Sequence, residues 1–173
     1  HAAKTAPLFF NEIAGISVTP LLPGEFRAQC TRSLGKNDVI IGISQSGETK
    51  DLIDVFSFLE EKYPQARRIC ILNNTNSTLA LEKSHLYVPL FCGPEIAVPA
   101  TKSFLNQLLV LYALALEVKT SLEKAGEKNT GDGMPASFHL EEMMKIPGLI
   151  DMTLKTTQQE TEMVAEQLYL KPS

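Results

Sequence analysis

Residues 38–49, Asp38-Val39-Ile40-Ile41-Gly42-Ile43-Ser44-Gln45-Ser46-Gly47-Glu48-Thr49, decide the fold of this chain. The near-continuous apolar run at their start is the pattern of a strand buried on both faces, as in a parallel sheet, and predicts a strand over 38–44. Beyond the run, Leu52, Phe56, Leu59 and Tyr63 recur every three or four residues, and Pro64 follows the last of them. That spacing predicts a helix beginning near Ser46. A hydroxyl-rich turn thus joins a buried strand to a helix, which is where an open α/β sheet holds an anion. In this reading Ser44 closes the strand, Ser46 caps the helix, and Thr49 falls at its third position. Gly47 would let a ligand approach the backbone without meeting a Cβ. The turn has no Lys or Arg, so a phosphate would rest on neutral donors and the helix dipole, worth ~0.3–2 kcal/mol per charge. Glu48 reads as a helix stabiliser rather than a catalytic carboxylate.

Outward from this stretch, strand-like and helix-like segments alternate. Arg68–Asn73 predicts a second buried strand, 73–77 a loop, Thr78–Ser84 a short helix and His85–Phe91 a third strand. Toward the N-terminus, Ala2–Ala14 predicts a helix stopped at Gly15, Ser17–Leu22 an edge strand, and Glu25–Ser33 a short helix. Lys102–Leu122 predicts the longest helix, so apolar in its central third that it implies burial between the sheet and a further body such as a partner subunit. The alternation means βαβ units and a doubly wound, flavodoxin-like parallel sheet. Composition divides the chain into a sheet domain at 1–125, a Gly- and charge-rich linker at 126–136, and a helical connector at 137–173. Two helical patterns, about 138–155 and 157–170, fill the connector.

Bulk properties narrow the function. Of 173 residues, 44% are hydrophobic and 21% charged, enough for a true core, and the net charge of −4 argues against a nucleic-acid partner. Three cysteines without metal-ligand spacing fit a reducing cytoplasm better than a disulfide framework, and Cys70 reads as core packing. The longest apolar run, Leu108–Leu116, is half of the roughly 18–20 residues that a membrane span needs. The expectation is a soluble, cytoplasmic protein with no membrane contact. His85 reads as a strand-start residue and His139 as a connector-helix residue.

A second hydroxyl-rich loop, Gly93-Pro94-Glu95-Ile96-Ala97-Val98-Pro99-Ala100-Thr101-Lys102-Ser103, repeats the arrangement at the head of the long helix. Here Thr101 and Ser103 supply hydroxyls and Lys102 a cation. The segments GISQSGETKDLID (42–54) and GPEIAVPATKSFLNQLLVLYALAL (93–116) resemble the first sugar-isomerase (SIS) domain of the isomerising glutamine–fructose-6-phosphate aminotransferases, the glucosamine-6-phosphate synthases. His1-Ala2-Ala3 resembles the end of that family's Gly-Thr-Ser-x-His-Ala turn. FFNEIAGISVTPLLPGEFR (9–27) and LEEMMKIPGLIDMTL (140–154) resemble its flanking and connecting segments.

The resemblance implies an SIS fold and a phosphosugar ligand. Ser44, Gln45, Ser46 and Thr49 would bind the phosphate, while Val98, Ala100, Thr101 and Lys102 would lie against the sugar. The family's usual Ala-Ser-Thr-Lys is Pro99-Ala100-Thr101-Lys102 here, so one hydroxyl is missing at position 100. The implied reaction condenses ammonia from glutamine with the opened ketose and moves a proton between C1 and C2, without metal or organic cofactor. Its ring-opening His, enolising Glu and imine-forming Lys belong to a second SIS half, so this chain would carry no catalytic residue. A longer polypeptide is expected, with a first central strand before His1, a glutaminase domain, a second SIS half and a homodimeric assembly. A sister amino-sugar-phosphate deaminase or fructosamine-phosphate deglycase, or a non-catalytic phosphosugar sensor, would carry nearly the same loops.

Overall fold

The computed structural model describes residues 1–96, 100–127 and 131–169. They form two compact units, His1–Gly133 and Met134–Ser173. In the first, a 3-10 turn (Ala2–Thr5) leads into helix α1 (Ala6–Ala14), which ends at Gly15 in the left-handed conformation that glycine adopts most readily. Helix α2 is Pro23–Cys30, strand β1 Val39–Ile43, helix α3 Lys50–Lys62 and strand β2 Arg67–Leu72. A single π-helical turn (Leu79–Lys83), strand β3 (Leu86–Pro89) and helix α4 (Lys102–Lys124) complete the unit.

The strands pair in parallel in the order β1-β2-β3, with Ile41 opposite Ile69 and Ile71 opposite Val88. Successive side chains of a strand point to opposite faces, so β2 feeds two cores. Cys70 and Leu72 pack with Phe26, Leu52, Val55, Phe56 and Leu59 from α2 and α3. Ile71 packs on the other face with Phe10, Ile13, Leu111 and Ala115 from α1 and α4. Helices thus cover both faces of a parallel sheet, the doubly wound arrangement expected from the alternation. Close packing fixes Gly42: a Cβ there would lie 2.8 Å from Phe56 Cζ and 3.0 Å from a Leu52 methyl. Burial pushes the Cys70 thiol up to about 12, so it stays an inert core group, as its apolar setting predicts.

Three expectations fail. Ser17–Leu22 pairs with no strand among the described residues; Pro20 and the following Pro23 remove donors, and the segment instead lines a groove of about 610 Å³ opposite β1. Helix α3 begins at Lys50, four residues later than the expected start near Ser46. The connector holds one helix rather than two: α5, Ala136–Tyr169, runs through Pro147 without a break. Its hydroxyls at Thr153, Thr156 and Thr157 bond back to carbonyls one turn earlier, which suits a continuous helix.

Helix α4 keeps Leu108, Leu109, Val110 and Tyr112 only half-buried. Near its end, buried Lys119 pairs with Asp132 at 3.2 Å, and the Asp132 N–H donates to the Glu12 carbonyl at 2.7 Å. A buried ammonium is tolerable only with such a partner. Among the described residues, no helix is long and apolar enough to cross a membrane.

Candidate functional site

Three loops leave the C-terminal ends of the three parallel strands, the edge at which open α/β sheets take ligands. The first, 44–49, is built around a buried serine. The Ser44 N–H continues the sheet ladder to the Ile71 carbonyl at 3.0 Å, which fixes the side chain at the strand end. Its Oγ accepts from the Gly47 N–H at 2.9 Å and shares a 2.8 Å hydrogen bond with Thr49 Oγ1. Ser46 Oγ accepts from the Glu48 N–H at 3.1 Å and is otherwise exposed. Thr49, not Ser46, stands at the cap position of α3, and its hydroxyl turns to Ser44 rather than capping the helix. Among the described residues, the N–H groups of Thr49, Lys50 and Asp51 have no acceptor. A turn of hydroxyls thus faces the open donors of a helix start, the arrangement an anion needs.

Gly47 has a different role from the one its sequence suggests. It sits at φ +70°, and a Cβ would fall 2.0 Å from Ser77 Oγ. The space above its Cα belongs to the second loop, 73–78, rather than to a ligand. That loop is bound closely to the first: Asn73 N–H donates to the Gln45 carbonyl at 3.1 Å, and Leu79 N–H to the Gly47 carbonyl at 3.2 Å. Glu48 lies before α3, and its Oε1 accepts from the Thr78 N–H at 2.7 Å. It ties the two loops together and lies outside the first turn of the helix it was expected to stabilise.

Asn73 also reaches the third loop. Its Nδ2 donates to the Gly93 carbonyl at 2.7 Å, and its Oδ1 accepts from the Cys92 N–H at 3.2 Å. One residue at the end of β2 therefore holds the two hydroxyl-rich loops from either side. Asparagine at a strand end reads as ordinary turn chemistry, so the sequence did not single it out.

In the third loop, Thr101 stands at the cap of α4, Lys102 opens the helix, and Ala100 precedes them, all three exposed. Val98 lies outside the described residues. The Thr101 N–H and Oγ1 both donate to Glu95 Oε1, at 3.2 and 2.8 Å, and the Ser103 N–H donates to Glu95 Oε2 at 3.1 Å. The nearby Ser103 hydroxyl, short of hydrogen-bond geometry, and the bonded Thr101 hydroxyl hold the Glu95 carboxyl down at about 2. This carboxylate was absent from the residues the sequence pointed to. It takes up the donors that Thr101 and Ser103 were expected to offer a ligand.

Beside Thr49 opens a cavity of about 280 Å³ whose walls include Ile43, Gln107, His1 and Lys4. Lys4 and Glu25 bring one charge of each sign to its lining. His85 lies elsewhere, accepting from the Arg68 N–H at 3.0 Å through Nδ1; burial and then Arg68 lower its pKa. It anchors a strand start, as expected.

Comparison with known proteins bears on this site. A family model described as SIS domain matches residues 1–117. The glutamine–fructose-6-phosphate aminotransferase [isomerizing] of Nostoc sp. (strain PCC 9229) is 31% identical over 96% of this chain, and that of Aquifex aeolicus (strain VF5) 32% over 99%. The chain spans about a quarter of the length of either relative (26%). Among solved structures, the C-terminal domain of glucosamine-fructose-6-phosphate aminotransferase from Francisella tularensis superimposes with a TM-score of 0.77 at 26% identity. The match covers 95% of this chain and 43% of that one.

Proposed function

The chain belongs to the SIS-domain family, and from that premise we propose that it is the phosphosugar-binding half of an isomerising aminotransferase. The complete polypeptide would convert fructose 6-phosphate and glutamine to glucosamine 6-phosphate and glutamate. The observation that carries this reading is the turn 44–49, where hydroxyls and open N–H groups converge at the head of α3. The names of the curated relatives and their greater length support the rest.

Burial and hydrogen bonding sort the residues into roles. Buried Ser44 Oγ accepts from Gly47 N–H and shares one hydrogen bond with Thr49 Oγ1; with Ser44 as its donor, the exposed Thr49 hydroxyl is left to donate outward. Thr49, Ser46, the Gln45 amide and the helix-start N–H groups then hold the ester oxygens, with Ser44 acting through Thr49. Neutral donors and a helix dipole hold a dianion firmly enough to orient it and loosely enough to release it. Ala100, Thr101 and Lys102 border the sugar end, and Val98 belongs with them. Proton transfer between C1 and C2 falls to groups of a second SIS half. A glutaminase domain supplies the ammonia.

The same reading makes 1–125 the phosphosugar domain, 126–136 a linker and 137–173 a connector toward the second half. It also makes the assembly a cytoplasmic homodimer, a pairing favoured by the half-buried apolar belt of α4. The test is glucosamine 6-phosphate formation by the full-length polypeptide from fructose 6-phosphate and glutamine. Ser46→Ala should raise KM for the ketose phosphate while leaving kcat nearly unchanged; no product from the wild type refutes the assignment.

A further inference from the structure

The head of α4 has the same kind of donors as the head of α3, yet the donors of the two meet different partners. At α3 the N–H groups of Thr49, Lys50 and Asp51 lack acceptors among the described residues. At α4 the Thr101 and Ser103 N–H groups and the Thr101 hydroxyl all converge on the Glu95 carboxylate. A helix start carries the equivalent of about half a positive charge, so the carboxylate there offsets the dipole that would draw a second anion. The Thr101 and Ser103 N–H groups are taken by it, which leaves the Lys102 N–H as a first-turn donor without an acceptor among the described residues.

We propose that Glu95 is a specificity-determining residue: its carboxylate is an internal anion that closes the head of α4 to the substrate's phosphate. The ester is thereby confined to the β1–α3 turn, and the phosphosugar lies with its sugar end toward α4 rather than reversed. This deepens the phosphosugar reading and rests on it. Asn73, which holds the two loops together, keeps both helix heads at the C-terminal edge of the sheet, where either could otherwise serve the same ligand. The ionised state is secure, because the carboxyl titrates near 2.

The test is titration of this chain, labelled with ¹⁵N, with inorganic phosphate while backbone amide shifts are followed. In the wild type, the amides of Thr49, Lys50 and Asp51 should move saturably and those of Thr101 and Ser103 should not. In Glu95→Ala the Thr101 and Ser103 amides should move as well, with a second binding event. Glu95→Gln, which keeps the side-chain shape but removes the charge, should show the same second site more weakly and guards against loss of fold in the alanine variant. Movement of Thr101 and Ser103 in the wild type overturns the proposal. So does their silence in both variants. Silence of the α3 amides in the wild type instead counts against the phosphate turn itself, and the two failures are read from different residues.

Discussion

Asn73 donates its side-chain amide to the Gly93 carbonyl across 2.7 Å, while its Oδ1 takes the neighbouring Cys92 N–H. Its backbone N–H meanwhile donates to Gln45 in the other loop. The relative placement of the two hydroxyl-rich loops therefore depends on a residue that touches both and that no ligand need touch. Asn73→Ala removes two hydrogen bonds, a loss of roughly 1–3 kcal/mol. The expected result is a lower Tm together with a raised KM for fructose 6-phosphate. Asn73→Asp keeps only the acceptor for Cys92 and sets a carboxylate against the Gly93 carbonyl, so it should rescue neither quantity.

Ser44 and Thr49 should separate cleanly. Thr49→Val retains shape and removes a hydroxyl placed to donate outward, so fructose 6-phosphate affinity should fall about tenfold, a loss near 1.4 kcal/mol. The Ser44 hydroxyl it leaves without a partner should lower Tm less than the loss of Ser44 itself. Ser44→Ala leaves the Gly47 N–H without its buried acceptor, at a cost of about 1–3 kcal/mol in stability. Calorimetric binding and thermal denaturation on both variants decide the matter. Equal effects on both measurements would deny the division of roles.

How much of this was legible in the sequence depends on where the determining contacts lie. Strand β1 could be read from its run of apolar residues, although it stands at the edge of the described sheet. Gly42 alone is buried there, while Ile40, Ile41 and Ile43 are half-buried and Val39 is exposed, rather than the strand being covered on both faces. The head of α3 was misplaced because Ser46 looks like a cap, whereas the backbone stays non-helical until Thr49, whose hydroxyl is engaged by Ser44. Glu95 was passed over because its partners lie six and eight residues along the chain, across a loop whose closure no periodicity records. The single helix α5 defeats a rule that is usually sound, since Pro147 normally ends a helix at the preceding residue.

Gly47 offers a double-mutant test of loop packing. Gly47→Ala meets both a positive φ and the Ser77 hydroxyl, and should destabilise by about 1–3 kcal/mol. Adding Ser77→Gly removes the side chain in the way and should recover part of that loss, leaving the backbone cost. Urea unfolding of the four proteins in the cycle measures the coupling. A coupling of zero would mean that the two residues do not meet.

The Glu95 carboxyl has a definite sign in its pH dependence. Its folded pKa is depressed from an ordinary 4.5 to about 2, so the unfolded chain binds the proton first as pH falls. The stabilisation is fully present above 4.5 and is lost as pH falls toward 2. The stability difference between wild type and Glu95→Gln should therefore be constant from neutral pH down to about 5 and shrink below it. Chemical denaturation at a series of pH values follows it. A difference that grows with acidification would contradict the hydrogen bonding at the head of α4.

The most direct test of the whole account compares fructose 6-phosphate with fructose as ligands for this chain, read at the Thr49, Lys50 and Asp51 amides. The phosphorylated sugar should shift these amides saturably and be displaced by inorganic phosphate, and fructose at the same concentration should leave them where they are. If the two sugars act alike, or if the phosphorylated one perturbs only residues away from the β1–α3 turn, the turn is not the anion site.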